Sequence, residues 1–320
     1  MRFLIYGAGA IGGGIGGRLF EAGHDVTLIA RGEHLAALQR DGLTLVSPAG
    51  SATLKVPAVG HPREAEPAPG DVVVLAMKSQ HTDAALADLA AAAPDGVAVF
   101  CAQNGVDNER MALRLFPDVY GVSVMMPATH LEPGVVITNS AGKTGLLDLG
   151  RYPDGVDATA TAVAGALEGA SFASEARADI MRWKYRKLLM NLGNAIEAVC
   201  GPVGRAGELF TLVLDEGVAA LAAAGIDPVT SEEDQARRGD LLRMRPAEGR
   251  RREGGSSWQS LVRGTGSIEA DFLNGEIVLL GRLHGVPTPA NALFQRLANQ
   301  AAAEGRPPGF LSPDEVLARL

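Results

Sequence analysis

The first residues with a chemical signature are Gly7, Gly9 and Gly12, at G-x-G-x-x-G spacing. That spacing suits the binding of a diphosphate. Gly7 allows a tight turn, Gly9 lets the backbone approach a pyrophosphate, and Gly12 lets a following helix pack on the preceding strand. The free N–H groups at the start of that helix, around Ala10 and Ile11, then face the diphosphate, where the helix dipole favours negative charge. A purely structural glycine turn is the plainer alternative. Arg31 stands directly after the second expected strand. A carboxylate there would accept hydrogen bonds from the adenosine ribose of NAD, whereas a planar cation suits a 2′-phosphate. The arginine therefore favours NADP(H) over NAD(H), and it disfavours FAD and S-adenosylmethionine. Its alternative is a solvent-facing arginine at a helix start.

Two further polar groups follow apolar runs. Lys78 comes after Asp71–Ala76, and Asn104 comes after Val97–Cys101. Ligands of open α/β sheets gather at the carboxyl ends of parallel strands, so Lys78 could reach a carboxylate or the cofactor, and Asn104 a ribose or the substrate. Taken alone, each reads equally well as a capping or surface residue. In the second half, Trp183, Lys187, Asn191 and Asn194 are spaced four, four and three apart, which puts them on one face of an uninterrupted helix over 179–192. A solvated stripe is the plain reading of that face, but asparagine gains little there as a mediocre helix former. Glu269 lies near the start of another expected helix, capped by Thr265 or Ser267, where a carboxylate complements the dipole. His24 and His130 read as turn and loop histidines.

These groups need elements to hold them. Residues 2–6, 26–30, 71–76, 97–101 and 119–126 read as strands alternating with helices, and the continuous apolar runs suit parallel strands buried on both faces. Short strands are expected at 43–46, 53–56, 135–137 and 143–148, with 171–173 as one last strand. From about residue 155 helical periodicity takes over. The expected fold is α/β: an N-terminal Rossmann-type doubly wound domain over 1–173, followed by an all-α domain over 174–320. The charged stretch 231–253, including Arg250, Arg251 and Arg252, reads as a solvated helix and mobile loop, with a lid or subunit contact as the sharper option.

The bulk numbers agree. Of 320 residues, 47% are hydrophobic and 21% charged, so a packed protein is expected rather than disorder. A net charge of −8 argues against a general nucleic-acid binder. Two cysteines, Cys101 and Cys200, supply neither zinc-type spacing nor a disulfide framework, so no metal is expected. The first strand begins near Met1, which leaves no room for a signal peptide, and no apolar run is long enough to cross a bilayer. A cytoplasmic setting and no membrane partner are expected. The oligomeric state is left open, a homodimer among the options.

Together these pieces resemble ketopantoate reductases and the wider group of 2-dehydropantoate 2-reductase-like proteins. The resemblance runs through Gly7–Gly12, Lys78, Gln103-Asn104-Gly105, Lys187-x-x-x-Asn191, Ser256-Ser257 and Glu269-Ala270-Asp271-Phe272-Leu273-Asn274-Gly275. It implies an NADPH-binding Rossmann domain, a helical domain, and reduction of 2-dehydropantoate to pantoate on the way to coenzyme A. It further implies Lys187 as general acid, Asn191 as a substrate ligand, Ser257 at the substrate carboxylate and Glu269 at a hydroxyl, with Lys78 and Asn104 contributing from the cofactor domain. The family pattern has a second asparagine four residues after the first. This chain has Ala195 there and Asn194 one place early. The alternatives are therefore a related reductase of a different 2-oxo acid, and a non-catalytic NADP(H)-sensing protein.

Overall fold

The computed structural model describes residues 1–202, 204, 207–248 and 254–320. The chain divides into two compact units, Met1–Lys184 with Ser231–Arg252, and Tyr185–Thr230 with Glu253–Leu320. The first opens with β1 (Arg2–Tyr6), α1 (Ala10–Glu21), β2 (Asp25–Ile29) and α2 (Gly32–Asp41). A hairpin of β3 (Leu43–Ser47) and β4 (Gly50–Leu54) precedes the short β5 (Ala58–Val59). Alternation resumes with β6 (Val72–Leu75), α3 (Thr82–Ala90), β7 (Ala98–Cys101), α4 (Asn108–Leu113) and β8 (Val119–Met125). Then come β9 (Ala128–Thr129), β10 (Val135–Thr138), β11 (Ser140–Gly142), β12 (Leu146–Arg151) and α5 (Ala158–Gly169).

The main sheet has the order β12-β8-β7-β6-β1-β2-β5. Strands β8 to β5 are mutually parallel, and only the edge strand β12 runs antiparallel. Alternate residues of each strand serve opposite faces. Phe3, Ile5, Val72 and Val74 pack with Ile15 and Leu19 of α1 and Val163 and Leu167 of α5. Leu4, Val73 and Leu75 pack with Leu86 and Leu89 of α3 and with Ala112. This is the doubly wound arrangement that the continuous apolar runs predict.

A second sheet, β4-β3-β10-β9, was not foreseen as a unit. The expected strand at 53–56 is displaced to Gly50–Leu54, because the hairpin register pairs Ser47 with Gly50 and Leu43 with Leu54. Strand β12 starts at Leu146 rather than Lys143, whose ammonium is engaged by Glu168 at 2.5 Å. The expected strand at 171–173 reduces to a single bridge between Ala173 and Leu146.

The division between units falls inside α6 (Ile180–Asn191), which is followed by α7 (Gly193–Cys200) and α8 (Glu208–Ala223). The chain then returns to the first unit with α9 (Ser231–Arg238) and β13 (Leu242–Met244). Both the boundary near 174 and a plain solvated reading of 231–253 therefore need correction. Glu175 N–H donates to Asp148 at 2.9 Å, and Ala176 bridges Leu149, so the chain past 174 stays on the sheet edge. Strand β13 pairs antiparallel with β11, and Arg237 donates twice to the fully buried Asp148, at 2.8 and 2.7 Å. The charge of this stretch is thus partly internal. Arg250, Arg251 and Arg252 lie outside the described residues.

The second unit is helical: part of α6, then α7, α8, α10 (Ser256–Val262), a 3-10 turn over Glu269–Phe272, α11 (Asn274–His284), α12 (Pro289–Ala303) and α13 (Pro313–Leu317). Its core holds a polar knot. Glu216 on α8 accepts from the first amides of α12, Ala290 N at 2.8 Å and Asn291 N at 2.9 Å, and so caps a helix distant in sequence. Asn291 also donates to Val213 O at 2.9 Å, and its side-chain oxygen accepts from Asn274 at 3.0 Å. Among the described residues, no helix is long and apolar enough to cross a membrane.

Candidate active site

The order of the main sheet decides which loops meet at its carboxyl edge. Along β7-β6-β1-β2 the strand ends lead to Gln103-Asn104-Gly105, to Met77-Lys78-Ser79, to the glycine turn, and to Arg31. The order reverses between β6 and β1, the switch point where open α/β sheets hold ligands. Gly7 has φ +101°, and a Cβ there would lie 2.7 Å from Met77 N. A Cβ on Gly12 would lie 2.0 Å from Gly7 O. The two glycines let the turn close against the neighbouring loop and against its own helix. Helix α1 starts at Ala10 with Gly9 as its cap residue, no side chain caps it, and its first turn has no acidic residue. The amides around Ala10 and Ile11 are thus presented as an anion site presents them. Arg31 is the cap residue of α2 and is exposed, so its guanidinium is open to the edge's outer end.

Lys78 and Asn104 are both half-buried, and a polar network joins their loops. Gln103 Nε2 donates to Met77 O at 3.1 Å and to Thr82 Oγ1 at 2.8 Å. Asn108 Nδ2 donates to Asn104 O at 3.0 Å, and Ser79 Oγ donates to the same carbonyl at 3.3 Å. Thr82 Oγ1 donates to Asn108 Oδ1 at 2.8 Å. Beneath this lies a buried ion pair between Lys184 and Glu109, 3% and 0% exposed. Lys184 also donates to Gln103 O at 3.1 Å. Burial pushes the Glu109 carboxyl up, against the pull of the ammonium beside it, and burial raises the Cys101 thiol well above its ordinary value.

In the helical unit, Lys187 is half-buried on α6, and Asn191 is the last residue of that helix. Leu192 is a turn whose N–H bonds three residues back, to Leu189 O at 3.4 Å, before α7 begins. The four-four-three face meets one local tightening there, at a residue that keeps α-helical angles (φ −57°, ψ −32°). At its other end Trp183 belongs to the first unit, with the Arg177 guanidinium 4.2 Å over its ring. Asn194 and Ser257 are buried, and Asn194 Nδ2 donates to Ser256 Oγ at 3.5 Å. One turn on, Glu197 accepts from Gly255 N–H at 3.1 Å, which fixes the start of α10. Glu269 is 2% exposed in the 3-10 turn before α11. The cap residue of that turn is Ile268, and Thr265 Oγ1 donates to Ser260 O and Ser267 O. Asn274 Nδ2 donates to Leu192 O at 3.4 Å, tying the segment after Glu269 to the turn after Asn191.

The residues singled out in sequence thus collect in two groups. Gly7, Gly9, Ala10, Ile11, Gly12, Arg31, Lys78 and Asn104 lie along one sheet edge. Lys187, Asn191, Asn194, Ser257 and Glu269 lie in the helical unit. Of the residues that hold them, Thr82, Asn108, Glu109 and Lys184 in the first group and Glu197 in the second were missed, while Asn274 stands in the Glu269–Gly275 segment without a role given to it. Among the missed residues Glu197 gave a signal, three residues after Asn194 at helical spacing. Among the described residues no cluster of three His, Cys, Asp or Glu could hold a metal.

Two family descriptions match the chain: "Ketopantoate reductase PanE/ApbA" over residues 3–153, and "Ketopantoate reductase PanE/ApbA C terminal" over 179–302. A 2-dehydropantoate 2-reductase of Pyrococcus horikoshii is 30% identical over 318 residues, covering 95% of this chain and 99% of that protein. A PanE/ApbA family ketopantoate reductase of Ralstonia eutropha JMP134 superposes with a TM-score of 0.80 at 28% identity, over 95% of this chain and 99% of the other. D-mandelate dehydrogenase, solved with NADH and anilino(oxo)acetate, has the same fold at a TM-score of 0.81 and 24% identity, over 95% and 99%.

Proposed function

We infer the reaction from one premise: the chain belongs to the ketopantoate reductase PanE/ApbA family and is a pyridine-nucleotide-dependent oxidoreductase. The reaction we propose is reduction of a 2-oxo acid, 2-dehydropantoate to pantoate, with NADPH. The observation that carries the reading is the half-buried Lys187 on the helix that ends at buried Asn191, in the unit that also buries Ser257 and Glu269.

The sheet edge fits a dinucleotide. Gly7 and Gly12 let the turn close against the neighbouring loop and its own helix, and the first amides of α1 would hold a pyrophosphate there. Arg31 would take the 2′-phosphate of NADP(H). When bound, the nicotinamide supplies the hydride. Lys187 would donate a proton to the carbonyl oxygen as negative charge develops there. Asn191 would hold the same oxygen or its neighbour, Ser257 the substrate carboxylate and Glu269 a hydroxyl. Asn194 lies beside Ser257 through Ser256, and would contribute to the same end of the substrate. Lys78 and Asn104 would hold the cofactor or the carboxylate from the braced loops.

One observation favours a second reading, a different 2-oxo acid. Ala195 is 2% exposed where relatives of the expected pattern have a second asparagine. Membership of a reductase family sets the non-catalytic reading aside.

The test is the loss of NADPH absorbance with ketopantoate and a panel of 2-oxo acids. Turnover of ketopantoate supports the first reading. Turnover of another acid alone replaces the substrate. Oxidation of NADH in preference to NADPH removes the role given to Arg31. Lys187→Ala should cost about a hundredfold or more in kcat while NADPH still binds. An unchanged rate would remove the lysine from the acid role.

A further inference from the structure

We propose that His34 is a positioning residue of the cofactor site, a neutral imidazole that holds the glycine turn at one ring nitrogen and the loop before β10 at the other. The proposal rests on the reading that this turn takes a nicotinamide dinucleotide. His34 Nε2 lies 2.8 Å from Ala8 O, inside the G-x-G-x-x-G turn. A carbonyl only accepts, so Nε2 carries the proton. On the other side, Gly134 N–H donates to His34 Nδ1 at 2.9 Å, so Nδ1 carries the lone pair. The two partners together select one tautomer of the uncharged ring. An imidazolium would turn a second N–H toward the Gly134 N–H, and that bond would become a repulsion. Burial holds the ring's pKa below its ordinary value, against the opposing pull of the Ala8 carbonyl.

The ring sits where three functional elements meet. It is three residues after Arg31 on α2, so its bond to Ala8 sets the start of that helix against the pyrophosphate turn. Gly134 is tied onward, its carbonyl accepting from Thr44 N at 2.8 Å on β3. His130, on the same loop, packs against His34 with ring centroids 4.2 Å apart and planes tilted by 52°, and a Cβ on Gly9 would come within 3.9 Å of it. The titratable groups on these elements are His130 and Glu132 on the loop, and Glu33, Arg40 and Asp41 with the cap residue Arg31 on the histidine's own element; the glycine turn has none. Loss of the ring leaves Ala8 O and Gly134 N–H without it, and loosens the spacing between the pyrophosphate amides and Arg31. The cost falls on nucleotide binding rather than on the proton transfer.

The experiment is fluorescence titration of NADPH and NADH into the full chain, as wild type, His34→Ala and His34→Gln, from about pH 8 down to about pH 5. At the upper end His34→Ala should raise the Kd about tenfold, the effect of two ordinary hydrogen bonds, with the KM for nucleotide moving more than kcat. Glutamine can still donate to Ala8 O and does not titrate. It should restore most of the affinity at the upper end and lack the weakening that wild type shows on acidification. Titration of the 2′-phosphate is common to both proteins and absent from NADH, so the difference between them isolates the ring. Superposed pH profiles of wild type and His34→Gln would overturn the proposal even if His34→Ala fails to fold. An unchanged Kd in His34→Ala would do the same. A wild type that binds neither nucleotide would sink the cofactor reading, and this proposal with it; binding that is indifferent to residue 34 would sink the proposal alone.

Discussion

At the carboxyl edge of the main sheet, the groups aimed at a ligand are largely backbone, and strand order places them. Gly7–Gly12 offers amides, and Lys78, Asn104 and Arg31 each follow the end of a strand by two or three residues. In the helical unit the groups are side chains, and other side chains from distant helices hold them. Asn194 reaches α10, Asn274 reaches the turn after α6, and Glu216 reaches α12. The difference teaches where each half is vulnerable. An edge made of backbone depends on close approach, so added atoms harm it. A cluster made of side chains depends on complete pairing, so removed atoms harm it.

The largest effect should come where the first unit departs from this division. Lys184 and Glu109 are 75 residues apart in sequence and buried together under the Asn104 loop. Lys184→Met strands a buried carboxylate and should cost about 3–5 kcal/mol in urea unfolding, whereas Lys184→Met with Glu109→Leu should recover much of it. A single variant as stable as wild type would show that the pair is idle. The helical unit should show a smaller loss. Asn274→Ala leaves Leu192 O and Asn291 Oδ1 without their buried donor and should cost about 1–3 kcal/mol. A loss confined to activity, with unfolding unchanged, would mean that the knot does not hold the helices.

This contrast also explains how much could be read in sequence. The buried parallel strands were legible because a strand covered on both faces is apolar throughout, as in Val72–Leu75. The helical run from about residue 155 was legible from its period, and Lys78 and Asn104 from the rule that ligands gather at strand ends. What failed was long-range pairing. The 231–252 stretch reads as solvated because it is charged, yet Arg237 finds Asp148 from 89 residues away. His34 looks like any polar residue on a surface helix; its meaning lies in a carbonyl 26 residues earlier and an amide 100 residues later.

The smallest effect belongs to a local device, the cap of α5. Asp157 Oδ1 accepts from Ala160 N at 2.8 Å, and Oδ2 accepts from Tyr120 at 2.7 Å and Arg151 at 2.9 Å. Burial pushes this carboxyl up, but the amide, the phenol and the guanidinium together pull it down further, so it lies below the usual range. Its contribution is therefore fully present above the unfolded aspartate's pKa and is lost as pH falls through the folded one. Asp157→Ala should cost about 1 kcal/mol at neutral pH, since the cap is the main term and the half-exposed ion pair is screened. Asp157→Asn keeps an acceptor for Ala160 and loses the charge, so it should trail wild type at neutral pH and converge with it in acid, once pH has fallen below the lowered folded value. A gap between the two that persists in acid would assign the cap's worth to shape rather than charge.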